Sequence, residues 1–171
     1  TFDKSLALWA GEPADVKAQA GGREAPTGQV RVLYFGEGHT RGDVVIYLPK
    51  EKVLVTGDLL TNGLPFMRDA VPLAWATTLE SVAKLEVESI IPGHGSVQQG
   101  KDRLNLVVQY LKDLYAAVKV QVDKKMPVEE AVKAVADQLA SKYEKEFPNF
   151  RAGLGGPLGN VTKTYEAMVK R

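Results

Sequence analysis

The sequence predicts a mixed α/β (α+β) chain, one layer of sheet covered by helices, and three observations carry that expectation. Short apolar runs bounded by glycine, proline and charged turns fill residues 30–58 and return at 87–91, with the length and punctuation of strands. Apolar residues then recur at three- and four-residue spacing over 73–85, 101–122 and 127–143, the period of helices. The totals are those of a folded chain: 171 residues, 44% hydrophobic and 25% charged, enough to bury a core and too apolar for disorder.

Residues 1–9 alternate loosely around Phe2, Leu6 and Leu8 and suit a strand, or a strand pair, entering the core. Residues 11–28 are rich in Gly, Ala and Pro and read as an exposed connection. Residues 30–35 set Val30, Val32 and Tyr34 against Arg31 and Leu33, a mostly buried strand, and Gly36-Glu37-Gly38-His39 ends it. Residues 44–48 are too apolar to have a solvent face; 49–52 supply a turn and 53–55 return as the second arm of a hairpin, ended by Thr56-Gly57-Asp58.

Residues 59–71 carry the breakers Asn62-Gly63 and Pro65 and read as a loop whose Phe66 and Met67 either anchor it in the core or touch a substrate. A helix over 73–85 would bury Trp75, Leu79 and Val82, and a strand over 87–91 would deliver Pro92-Gly93-His94-Gly95. The long amphipathic helix over 101–122 places Leu104, Val107, Val108, Leu111, Leu114, Val118 and Val122 on one stripe, with Lys101, Asp102 and Arg103 as a solvated start. Pro127 in a first turn opens the next helix, with Val128, Val132, Val135, Leu139 and Tyr143 on its stripe and Pro148 beyond its end. A Gly/Pro loop over 153–159 and a short helix over 161–170 close the chain.

Composition narrows the chemistry. A formal net charge of +1, with basic and acidic residues interleaved, leaves no stripe to track phosphates and argues against nucleic acid as a partner. No apolar run approaches the roughly 20 residues of a membrane span, so no membrane partner is expected and a soluble setting, cytoplasmic or periplasmic, stays open. There is no cysteine, which excludes disulfides and thiolate zinc sites; a transition metal must be held by His and carboxylate.

The chain has two histidines, and both stand just past an apolar strand beside glycine: Gly38-His39 and Gly93-His94-Gly95. Gly57-Asp58 repeats the pattern. Neutral imidazole and carboxylate suit zinc, iron or manganese, and loops at one sheet edge are where strands deliver chemistry. Singly, each has a plainer reading: a turn histidine, or an aspartate that caps a helix or closes an Asx turn. Arg41 and Asp43 are either supports for such ligands or an intra-loop ion pair.

Taken together, Gly38-His39-Thr40-Arg41-Gly42-Asp43, Thr56-Gly57-Asp58 and Ile91-Pro92-Gly93-His94-Gly95 resemble the metallo-β-lactamase fold superfamily of metal-dependent hydrolases, over roughly residues 30–97. The likeness is closer to the broad hydrolase branch with aspartate at the bridging position than to the antibiotic-degrading enzymes. It implies that His39 binds a first metal, that Asp58 bridges two and is the catalytic carboxylate, and that His94 binds the second. It further implies two zinc ions, with iron or manganese as alternatives, and hydrolysis by a metal-activated bridging hydroxide.

The same family draws its other ligands from a His-x-His-x-Asp-His loop in the first half of an αββα sandwich, and this chain holds no such loop. The resemblance therefore implies the C-terminal half of the sandwich: residues 1–100 as its sheet-and-helix portion and 101–171 as a helical extension packed on the same domain. Thr1 in place of Met favours a truncated product or a mis-set start over a subunit completed by another chain. The expected function is part of a hydrolase for esters, thioesters, lactones or amides of small molecules, inactive alone and binding metal weakly or not at all. A half sandwich would expose an apolar sheet face, so the expected partner is a second copy or the missing N-terminal half. The alternative from another class is a non-catalytic binding or assembly module; a nuclease is disfavoured by the charge balance.

Overall fold

The apolar runs of the first half pair into one sheet. A computed structural model, which describes residues 5–9 and 29–170, gives six strands: β1 (Ser5–Trp9), β2 (Gln29–Leu33), β3 (Val45–Leu48), β4 (Val53–Gly57), β5 (Ser89–Pro92) and β6 (Gln98–Gln99). Their spatial order is their sequence order, β1-β2-β3-β4-β5-β6. All neighbours are antiparallel except β4 and β5. A parallel neighbour requires a crossover, and α1 (Pro72–Val82) supplies it. The connection expected over 11–28 lies outside the described residues.

Strand alternation then separates two faces. Across β3, β4 and β5, Tyr47 stands opposite Leu54 and Leu54 opposite Ile90; these three and Val45 are at most 6% exposed. They join the buried side chains of α1 (Trp75, Leu79, Val82) and of α2 (Asp102–Asp123) in one apolar cluster. The other face presents a row set by the same register, Val32, Ile46, Val55 and Ile91. Here Ile46 keeps 37% of its surface and Val44 and Ile91 keep 39%. The strand over 44–48 thus has a solvent face after all, and residues 30–35 are half-buried rather than mostly buried. Apolar character on both faces states a demand for two covering layers, and the described residues supply one.

The remaining helices stack on that covered side. Both α3 (Val128–Tyr143) and α4 (Asn160–Val169) pack against α2, and α1 also packs against α2. Tyr110, Tyr143, Phe147 and Phe150 meet at the junction, with Tyr110 and Tyr143 edge to face at 5.2 Å. Burial pushes the Tyr110 hydroxyl above its ordinary pKa, and it accepts a hydrogen bond of 2.9 Å from Asn160 Nδ2. Asp113 on α2 accepts from Lys142 Nζ and Tyr143 Oη, both at 2.6 Å, and from Gln109 Nε2 at 2.7 Å.

Two local expectations change. Helix α1 stops at Val82, three residues early: the Lys84 and Leu85 N–H groups turn back to the carbonyls of Ser81 and Val82, and Lys101 Nζ donates to those of Ala83 and Leu85 beyond the end. Of residues 101–103 only Asp102 is a solvated start: Lys101 serves these carbonyls and Arg103 is half-buried. The loop over 59–71 is split in its use of apolar groups, with Leu59, Leu60 and Met67 buried in the core and Phe66 47% exposed. No helix among the described residues is long and apolar enough to cross a membrane.

Candidate metal centre

Three loops meet at the edge of the sheet where β2, β4 and β5 end. The His39 loop is closed on itself: Asp43 accepts from the Thr40 N–H and hydroxyl, both at 2.7 Å, and the Gly38 N–H donates to the Thr40 carbonyl at 2.8 Å. Asp43 is thus an intra-loop acceptor, while Arg41 makes an exposed pair with Glu37 at 3.1 Å. Helix α1 fixes the loop from behind: Thr78 Oγ1 donates to the Glu37 carbonyl at 2.7 Å, and the Val71 N–H donates to that of Gly38 at 2.8 Å. The Trp75 ring stands edge-on to the His39 imidazole at 5.8 Å.

Asp58 follows a bend that glycine makes possible. Gly57 has φ 52°, left-handed backbone that side chains disfavour. The β4/β5 register shifts at this point, so that Gly57 faces Pro92. A bulge of this sort re-aims the next side chain. Gly93 completes the close approach, because a Cβ there would run into Asp58 Oδ1 and the backbone of Gly57 and Asp58. Its N–H donates to the Gly57 carbonyl at 2.9 Å and to that of Leu60 at 3.1 Å. Trp75 Nε1 donates to the Leu59 carbonyl at 3.1 Å, so one α1 side chain steadies both the His39 and the Asp58 loops.

The structure brings the three candidate side chains together. His39 Nε2 lies 4.0 Å from Asp58 Oδ2, and His94 Nε2 lies 3.3 Å from Asp58 Oδ1. The imidazoles stand against different oxygens of one carboxylate instead of converging on a single point. Consistent with that, among the described residues no group of three or more His, Cys, Asp or Glu side chains is arranged to enclose one ion. Exposure is graded across the site: the His39 side chain is 19% accessible, Asp58 38% and His94 78%.

Two residues matter here that sequence reading treated otherwise. Asn62, read only as a loop breaker, donates its N–H to the His94 carbonyl at 3.0 Å and its Nδ2 to the Ser96 carbonyl and Oγ, both at 3.1 Å. Gln98 Nε2 donates to Asn62 Oδ1 at 2.5 Å. Arg103, read as part of a solvated start, donates Nη2 to the carbonyls of Asn62 and Gly63. Burial lowers its pKa against an opposing pull from Glu146, yet a guanidinium keeps its charge through such shifts. The only sequence signal for Asn62 was its place four residues after Asp58 in the same loop; for Arg103 there was none.

The chain is also similar to known proteins. The family profile described as the metallo-beta-lactamase superfamily matches residues 5–94, more than half of the chain. A metallo-beta-lactamase type 2 from Bacillus cereus is 33% identical over 75 residues, which are 40% of this chain and 29% of that protein. The type 2 enzyme of Elizabethkingia meningoseptica is 33% identical over 72 residues, 39% of this chain and 29% of its own. Among solved structures, the mono-zinc form of the metallo-beta-lactamase FIM-1 from Pseudomonas aeruginosa is 29% identical, with a TM-score of 0.45 over 48% of this chain and 39% of that one. The chain thus spans less than a third of the length of the curated relatives it matches.

Proposed function

Because the chain belongs to the metallo-β-lactamase superfamily, we propose that it carries part of the active site of a metal-dependent hydrolase, with His39, Asp58 and His94 as its share of the metal ligands. The observation that most supports this reading is the pair of imidazole nitrogens set against opposite oxygens of one carboxylate, at 4.0 and 3.3 Å. A carboxylate so flanked can serve two ions, one imidazole to each. The donor set fits zinc, with iron or manganese as alternatives. The fit is partial: each of two ions would find one histidine and the shared aspartate, whereas a catalytic zinc takes about three protein donors.

The remaining donors would come from polypeptide beyond this chain. The same segment, or a second copy, would cover the open row of Val32, Ile46, Val55 and Ile91. Bound there, the metal would act as a Lewis acid and lower the pKa of water, the chemistry that cleaves an ester, thioester, lactone or amide bond of a small molecule. Within this chain, Asp58 is the shared ligand and the one catalytic carboxylate. His39 is the enclosed ligand, with Trp75 against its ring, and His94 is the outer one, its backbone carbonyl held by the Asn62 N–H.

The test is metal content and hydrolytic turnover in a version extended at the N-terminus, beside the chain as it stands. Zinc and activity are expected in the extended protein, both falling on His39→Ala or His94→Ala, with weak or no zinc in the shorter chain. An extended protein that carries no metal would sink the reading.

A further inference from the structure

Arg103 lies at the start of α2, yet its side chain leaves the helix for the loop that follows Asp58. Nη2 donates to the Asn62 carbonyl at 2.5 Å and to the Gly63 carbonyl at 3.1 Å, and Nη1 donates to the Glu146 carbonyl at 3.0 Å. The guanidinium carbon stands 4.4 Å from the Phe147 ring centroid. Three carbonyls from two segments distant in sequence thus converge on one planar cation. A lysine ammonium, whose donors share one point, cannot reproduce that fork. Arg103 Nε is buried without a partner among the described residues. An orphaned buried donor weakens a protein, so this side chain is aimed at the loop despite a local loss.

What the loop does next gives the contact its meaning. Asn62, gripped by its carbonyl, holds His94 through its own N–H and Ser96 through its side chain. Asp58 and His94 therefore sit on two loops joined at Asn62, and Asn62 is fixed from the helical side. We propose that Arg103 is a positioning residue for the metal centre, locking the Asn62-Gly63 backbone and through it the placement of His94 against Asp58. Its importance to catalysis rests on the hydrolase reading above; its geometry does not.

The experiment uses the metal-free chain, so that it answers whether or not the extended protein proves to bind zinc. Amide hydrogen exchange and the two histidine Cε1–H resonances are followed by NMR in Arg103→Met and Arg103→Lys. The control is Lys101→Met, which breaks two backbone contacts at the same helix end, to Ala83 and Leu85. Both Arg103 variants are expected to speed exchange at the Asn62 amide by about tenfold or more and to move the His94 resonance. The His39 resonance and the amides in the middle of α2 and α3 stay as they were, and Lys101→Met leaves Asn62 and His94 unchanged.

An Arg103→Lys chain that matches the parent at Asn62 and His94 overturns the proposal. So does a uniform acceleration of all amides, or loss of fold in both variants, because the contact is then a general staple. If only Arg103→Met fails to fold, Arg103→Lys decides alone. Should the extended protein bind zinc, Arg103→Lys is further expected to weaken zinc affinity by about 10- to 100-fold, as losing the support of a ligand does.

Discussion

The two faces of the sheet are built from the same residue types and live in opposite surroundings. Val45, Tyr47, Leu54 and Ile90 lie under helices at 6% exposure or less, while Val44, Ile46 and Ile91, one step along the same strands or the loop leading into them, keep 37–39%. Any single exposed aliphatic is ordinary, since much of every protein's surface is apolar. A row of four running across β2, β3, β4 and β5 is a contiguous patch, a candidate contact surface whose partner the experiments below test. An apolar strand therefore states how many layers a fold requires and says nothing of where the second layer comes from.

The largest effect should come from testing the covered face against the open one. Leu54→Ala removes a side chain with no exposure from beneath the helices, and its expected cost is about 2–5 kcal/mol, transfer and cavity combined. Ile46→Ala, on the adjoining strand but the other face, should cost less than about 1 kcal/mol in the monomer. Urea unfolding of the two variants at low micromolar concentration measures both. Equal losses would break the comparison, because the open face would then be covered by something in solution.

A smaller effect tests what holds the helices over the covered face. Burial pulls the Asp113 carboxyl up, but the hydrogen bonds from Lys142, Tyr143 and Gln109 outweigh it and hold the group below its ordinary value of 3.8. Its folded pKa is thus below its unfolded one, so its stabilisation is complete above the unfolded value and is lost as pH falls through the folded value. Asp113→Asn keeps an acceptor for Tyr143 and removes the charge, with an expected loss of about 1–3 kcal/mol at neutral pH. The stability gap between parent and variant should stay constant at neutral pH and close once the pH falls below about 4. A gap that widens in acid would contradict the assignment.

These contrasts also mark what was legible in the sequence. Strands β3 and β4 follow from short apolar runs on either side of a charged turn, and the helices from their three- and four-residue period and their breakers; the solvent face of β3 was hidden because its exposed residues are apolar too. His39, Asp58 and His94 were visible as the chain's only histidines and one aspartate in a repeated setting, glycine beside a strand end. Their meeting within 4.0 Å at the sheet edge depends on the order of the sheet and on the Gly57 bend. What escaped were contacts between side chains and distant backbone carbonyls: Lys101 to Ala83 and Leu85, Arg103 to Asn62, Gly63 and Glu146, Trp75 to Leu59. A carbonyl is present at every position, so its use as a partner leaves no residue-specific trace. Phe66 and Met67 divide for a related reason: adjacent in one irregular loop, they face opposite ways, with no period to say which turns inward.

The smallest expected effect on stability belongs to the open face and decides its role. Replacing Ile46 and Ile91 by Thr keeps the β-branched shape that suits a strand and removes apolar surface that is already more than a third exposed. Unfolding of the monomer should therefore shift by less than about 1 kcal/mol. Association should shift far more, because in a symmetric copy-to-copy contact each substitution is present on both partners and so counts twice. Light scattering at high micromolar concentration is expected to find oligomers of the parent chain and a monomer of the Ile46→Thr, Ile91→Thr variant. The extended protein, with its own second layer in place, is expected to be indifferent to concentration with or without these substitutions. A parent chain that stays strictly monomeric would mean that this row of aliphatic residues tolerates water, and the inference that it awaits a covering sheet would fall.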